Sequence, residues 1–166
     1  MPLPHKSNIV IGIDPGTEIT GYGVVAEENG RPRLLEGGII RASKGELHNR
    51  LNLIFEELGR IIGEFKPDRM AVEQLYAHYK HPKTSIIMGH ARGVILLLAA
   101  RSNLELKSYP ATEIKRSIAG NGRASKGKIK RMVTHLLSLK EEPEYDDISD
   151  ALAAALTDIM HHNKQG

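Results

Sequence analysis

Four acidic residues fall where a catalytic cleft could collect them. Asp14 closes an apolar run, NIVIGID at 8–14, and Glu73 closes another, MAVE at 70–73. Asp147 and Asp150 open a predicted helix three residues apart, a spacing that puts both side chains on one face. If the two runs are neighbouring strands and the helix docks at their ends, four carboxylates meet. Such a cluster repels itself unless cations neutralise it, and hard oxygen donors suit Mg²⁺ or Mn²⁺. Two such ions can activate a water and stabilise the leaving oxygen in phosphodiester hydrolysis. Taken singly, each acid has a structural role open to it. Asp14-Pro15-Gly16 is a common turn sequence, and a strand-end acid such as Glu73 can simply be solvated. Asp147 could cap its helix, with Asp150 favoured by the helix dipole. It is the ordered set that points to chemistry.

The basic residues are equally uneven. Between Lys115 and Arg131 lie Lys115, Arg116, Arg123, Lys126, Lys128, Lys130 and Arg131, with no acid among them. Between Glu141 and Asp150 lie six acids and no base. Lys126, Lys128 and Lys130 sit in the first turns of a predicted helix, where cations oppose the dipole. Positive side chains beside the free N–H groups of a helix start form an anion site, and phosphate fits it. A solvated basic face is the structural alternative. Tyr76 and Tyr79 follow Glu73 among His78, Lys80, His81 and Lys83. Rings interleaved with cations in a loop can stack on unpaired bases, or they can pack on the next helix. His78 and His81 have no evident imidazole partner, so they are read as facing nucleic acid or solvent.

The elements that must position these groups follow from periodicity. Residues 8–14, 21–26 and 34–41 read as three strands, with Asn29-Gly30 as a tight hairpin turn between the second and third. They should form an antiparallel meander. Leu47, Leu51, Ile54, Leu58, Ile61 and Phe65 repeat with the period of an amphipathic helix that ends at Lys66-Pro67. A fourth strand covers 70–73. A second helix, apolar over much of its surface, covers 83–102, where Gly89, Ala91 and Gly93 would permit close packing. A fifth strand at 104–109 and helices at 111–119, around 129–137 and at 147–162 complete the order βββαβαβααα, one α/β domain. Residues 1–7 are expected as a flexible extension, 8–162 as the domain and 163–166 as a tail.

Composition bounds the rest. The chain has 166 residues, 23 Lys+Arg against 20 Asp+Glu, net charge +3 and no cysteine. No disulfide framework, thiolate metal site or thiol nucleophile is possible. An apolar content of 40% argues against wholesale disorder. The longest bulky apolar run, Val94–Ala100, is far short of the roughly 18–20 residues that span a bilayer. The start lacks a secretory apolar core, and a cytoplasmic protein with no membrane partner is expected.

Five motifs in order resemble the RuvC family of Holliday-junction resolvases. They are IGIDPGTEITGYGVV at 11–25, RMAVEQLY at 69–76, MGHARGV at 88–94, EIKRSIAGNGRASK at 113–126 and DDISDALAAALT at 146–157. The resemblance implies an RNase H-like fold. Its mixed five-stranded sheet has β1–β3 as the meander, with the fourth and fifth strands added in parallel and helices on its faces. It implies an active site of Asp14, Glu73, Asp147 and Asp150, the position of Asp147 being one where the family also carries histidine. Lys115 and Lys126 match basic residues near the scissile phosphate. Tyr76 takes an aromatic position, often phenylalanine, implicated at the junction. The segment after Lys126, GKIKRM, is more basic than the family's usual sequence. The family acts as a homodimer that nicks two symmetry-related strands of four-way junction DNA, and helix 83–102 is the candidate contact. It works with the RuvA–RuvB branch-migration complex. In the expected mechanism Asp14 bridges two Mg²⁺ ions, Glu73 holds one, Asp147 and Asp150 hold the other, and Lys126 offsets developing charge.

Two other readings differ in class. Asp14-Pro15-Gly16-Thr17 before a Gly-rich strand also resembles the phosphate hairpin of actin-like ATPases and sugar kinases, which need two large domains. A non-catalytic junction-binding protein on the same fold would bind junctions without cutting them.

Overall fold

The structure is a computed structural model and describes residues 8–75 and 80–165. The extension 1–7, the Tyr76, His78 and Tyr79 positions and the terminal Gly166 lie outside the described residues. Five strands, β1 (Asn8–Asp14), β2 (Ile19–Glu28), β3 (Arg31–Arg41), β4 (Arg69–Glu73) and β5 (Glu105–Tyr109), form one sheet in the order β3-β2-β1-β4-β5. The first three pair antiparallel, and β4 and β5 add in parallel. This is the expected mixed sheet. Both hairpin strands run longer than their apolar cores, because the Asn29-Gly30 turn, at φ 53° and 77°, lets pairing continue to Glu28 and Arg31.

Strand alternation separates two packing layers. Ile11, Ile13, Tyr22, Val24, Met70 and Val72 face α1 (Leu47–Phe65) and α2 (Pro82–Arg101). Val10, Val25 and Ala71 face α3 (Ala111–Ala119), α4 (Lys126–Leu136) and α5 (Asp146–Gln165). Helix α5 is buried on all sides from Ala151 to Ile159, lying between the sheet and α3 with α4. Fully burying Leu152, Leu156 and Ile159 stabilises the fold by about 1.5–3 kcal/mol each. The helix continues to Gln165, three residues past the end expected at His162.

A trough of small residues lets α5 lie this close. Gly12 pairs with Gly23, Gly23 with Gly37, and Gly12 with Ala71, so the row crosses four strands. A Cβ on Gly12 would stand 1.9 Å from the Ala151 carbonyl oxygen, and one on Gly21 would stand 2.2 Å from that of Asp147. The alanines of α5 complete the match. On α2 the expected close-packing set reduces to one residue. Ala91 is buried, whereas added Cβ atoms at Gly89 and Gly93 would meet little or nothing. Among the described residues α2 is the one helix long and apolar enough to cross a membrane by length and composition. Here Ala91, Ile95, Leu98 and Ala99 pack into the domain.

Candidate active site

The register Ile13–Val72 is the last pair between β1 and β4, so Asp14 and Glu73 come next, side by side at the ends of adjacent parallel strands. Asp14 shares a face with Gly12, and Glu73 shares one with Ala71, which turns both side chains toward α5. At the start of α5 the carbonyl of Tyr145 accepts from Ile148 N–H and Ser149 N–H. Tyr145 therefore holds the cap position. Asp147 is not the cap and lies in the first turn with Asp146. Because Gly21 admits the Asp147 main chain, this turn sits directly over the end of β1.

The result is a cleft of about 480 Å³ lined by Asp14, Glu73, Asp146, Asp147 and Asp150, with Lys115 from α3 and Lys126 from α4. Ile114, Ile129 and Ala153 form its apolar wall. All four acids expected from the sequence meet here, with two of the expected cations. Asp146 joins them without being marked as a site residue by the four-acid sequence pattern. Its signal was present, since Asp146 and Asp150 are four apart on one helix face. Asp146 accepts from Lys130 Nζ at 3.2 Å, so Lys130 is committed to the rim. Lys128 is 200° around α4 from Lys126 and is exposed, away from the cleft. Arg116 and Arg123 are exposed on α3 and on the turn after it and do not line the cleft. Tyr76 falls outside the described residues.

Electrostatics single out this cluster. Asp14 is pushed up from an ordinary 3.8 to about 8, first by burial, then by the charges of Asp150 and Asp147, a hydrogen bond with Asp147 and the charge of Glu73. Burial, then Asp150, also raises Glu73, while Lys115 and Lys126 pull it back. Asp150 is raised by burial and by Asp146 and Asp147, against Lys126 at 3.9 Å. Lys126 is 74% exposed, so its compensation is partial. Among the described residues no three acids or histidines converge tightly enough to hold a metal ion as they stand.

The sequence model for "Crossover junction endodeoxyribonuclease RuvC" matches residues 10–158. The chain belongs to the RuvC family. The RuvC proteins of Rhodopirellula baltica and Moorella thermoacetica are 41% and 44% identical to it, over 92% and 89% of this chain and 86% and 89% of theirs. Among solved structures, Thermus thermophilus RuvC in complex with Holliday junction substrate superposes with a TM-score of 0.89 at 31% identity, covering 95% of this chain and 96% of that one. These RuvC likenesses match the RNase H-like sheet and extend over α5 with its acids. Agreement over 95% of this chain and 96% of that one does not favour the reading as half of a two-domain ATPase.

Proposed function

We propose how this chain, a Holliday-junction resolving endonuclease of the RuvC family, uses its cleft. Asp14, Glu73, Asp147 and Asp150 carry the reaction, and the observation that supports this most is their convergence at one end of the sheet with Asp14 raised to about 8. An all-oxygen donor set in which burial and neighbouring acids raise Asp14 to about 8 fits hard divalent cations. Mg²⁺ would be held by these four residues, two ions per subunit, with Mn²⁺ able to substitute. When bound, the ions activate water and neutralise charge on the phosphate.

The chain's own groups supply the remainder. Lys126, exposed at the rim and 3.9 Å from Asp150, offsets charge as it builds on the scissile phosphate. Lys115 reaches the same group from α3. The Ile114, Ile129 and Ala153 wall lowers the local dielectric and strengthens both effects. Outside the cleft, Arg116, Arg123 and Lys128 would track the DNA backbone, and Tyr76 would stack at the junction. Lys130 contributes by fixing Asp146. The products would carry 5′-phosphates.

A homodimer suits a two-fold junction. Ile86, His90, Gly93 and Leu97 recur on the outward face of α2, and Ile86 and Leu97 are 63% and 55% exposed. This stripe is the proposed contact with a second copy, giving two identical clefts and paired symmetric nicks. The RuvA–RuvB complex would be the partner in branch migration, by family resemblance. A chain without cysteine suits the reducing cytoplasm.

The experiment is nicking of a synthetic four-way junction in Mg²⁺ with the cut sites sequenced, comparing wild type with Asp14→Asn. Paired cuts by wild type alone are expected. Equal cutting by both overturns the assignment. Tight binding without cutting in Mg²⁺ or Mn²⁺ would favour the non-catalytic reading.

A further inference from the structure

Arg92 does something the fold alone does not require. It stands on α2, in the layer behind the sheet, while the Glu73 side chain faces the cleft in front. Its Nη1 donates to the Glu73 main-chain oxygen at 2.6 Å, and its Nη2 donates to Ser108 Oγ on β5 at 2.8 Å. That carbonyl lies where the sheet runs out. β1 ends at Asp14, and the next residue, Pro15, has no N–H to give. On the other side Gln74 N–H still donates to the Tyr109 carbonyl at 2.8 Å. Beyond it Gln74 and Leu75 are exposed. The chain therefore leaves the sheet directly after an acid of the cleft, and a guanidinium holds the exit.

The arrangement is costly. Arg92 is half-buried and, among the described residues, pairs with no carboxylate. An apolar side chain would pack there without a desolvated charge. The guanidinium fork nevertheless ties β4 to β5 by two donors at fixed spacing, which a lysine cannot do. Arg92 also lines a cavity of about 220 Å³ whose other walls include Asp14, Pro15, Glu73 and Met88.

We propose that Arg92 is the positioning residue for Glu73, fixing its main chain from behind so that its carboxylate stays within reach of a cation shared with Asp14. This rests on the reading of the cleft as a divalent-cation site. It makes Glu73 a ligand whose placement depends on a side chain from the opposite layer, through Ser108.

The test is calorimetric titration of Mn²⁺ into the full-length chain as wild type, Arg92→Met, Arg92→Lys, Ser108→Ala and Asp14→Asn. Melting temperature and junction affinity without divalent ions are measured alongside. Arg92→Met should weaken Mn²⁺ binding about 10–100-fold, as loss of a ligand's support does, with junction affinity within about twofold. Arg92→Lys should recover part of the loss, and Ser108→Ala should show a smaller loss of the same sign. If Arg92→Met does not fold, the lysine and Ser108→Ala variants carry the same comparison. Unchanged Mn²⁺ affinity in variants that lose it with Asp14→Asn overturns the Arg92 assignment alone. So does a fall confined to junction affinity, which would make Arg92 a DNA contact. Absent Mn²⁺ binding in wild type, or equal binding by Asp14→Asn, overturns the cleft reading and the assignment with it.

Discussion

Asp150 and Asp158 stand eight residues apart on α5 and meet opposite surroundings. Asp158 is 2% exposed, and its two oxygens accept from Arg69 Nε at 2.6 Å and from Tyr109 O–H at 2.7 Å. Arg69 is held in turn by Asn8. At the other end Asp150 is crowded by Asp14, Asp146 and Asp147, and its cation, Lys126, is distant and exposed. The first acid is neutralised within the fold and ties α5 to the starts of β1 and β4. The second is left short of positive charge. One helix thus carries at one end an acid neutralised within the fold and 2% exposed, and at the other an acid whose side chain is 30% exposed at the cleft and short of positive charge.

The largest expected effect attacks the under-neutralised end. Asp14→Asn should lower junction nicking at saturating Mg²⁺ by about 10³-fold or more, as loss of one member of a cooperating catalytic set does. The protein should remain folded, as seen by circular dichroism. Asp158→Ala should do the reverse. It strands Arg69 and should cost about 3–5 kcal/mol in urea unfolding, while any protein still folded keeps the Mn²⁺ affinity of the wild type. A nicking loss in folded Asp158→Ala as large as that of Asp14→Asn would erase the distinction.

Lys126→Met comes next. Removing the partial counter-charge should slow nicking about 10–100-fold and raise the carboxyls of Glu73 and Asp150 further, moving the acid limb of the pH–rate profile upward. The smallest effect concerns stability in the absence of divalent ions. The folded chain holds the Asp14 proton more tightly than the unfolded chain does. Its contribution is therefore most favourable below pH 4 and is lost as pH rises toward about 8. Asp14→Asn removes this loss, so its melting temperature at pH 8 should exceed that of wild type, with the two converging near pH 4. Lack of convergence in differential scanning fluorimetry would show that Asp14 is not the group responsible.

Much of the site could be read from residue order. Acids closing two apolar runs, and a pair opening a helix, required only that β1 and β4 be neighbours. The periodicity of 47–65 fixed α1 to the residue, and Asn29-Gly30 placed the hairpin turn, while β2 and β3 run two to three residues further toward it than their apolar runs. The basic strip was legible as composition but not as geometry. Lys126 and Lys130 share a face toward α5, and Lys128 points away, which the 100° step of a helix decides only once that helix is docked. A run of two acids, Asp146-Asp147, does not show by itself which of them faces a cleft, and both do. Arg92 sat inside a motif valued for its small neighbours, of which only Ala91 packs closely. Its partners are a main-chain carbonyl and a serine on two strands distant in sequence.

What the sequence determined by itself was the inventory and the order: which strands end in acids, where the helices start, and that no sulfur chemistry competes. Alternation and helical period are local properties, so they survive without a fold. The tertiary structure decided which charges meet. The row Gly37–Gly23–Gly12–Ala71 lets α5 approach to backbone distance, bringing its first turn over Asp14 and raising that acid to about 8. A pKa shift of this kind depends on burial and on charges from four separate segments, and only packing brings those together.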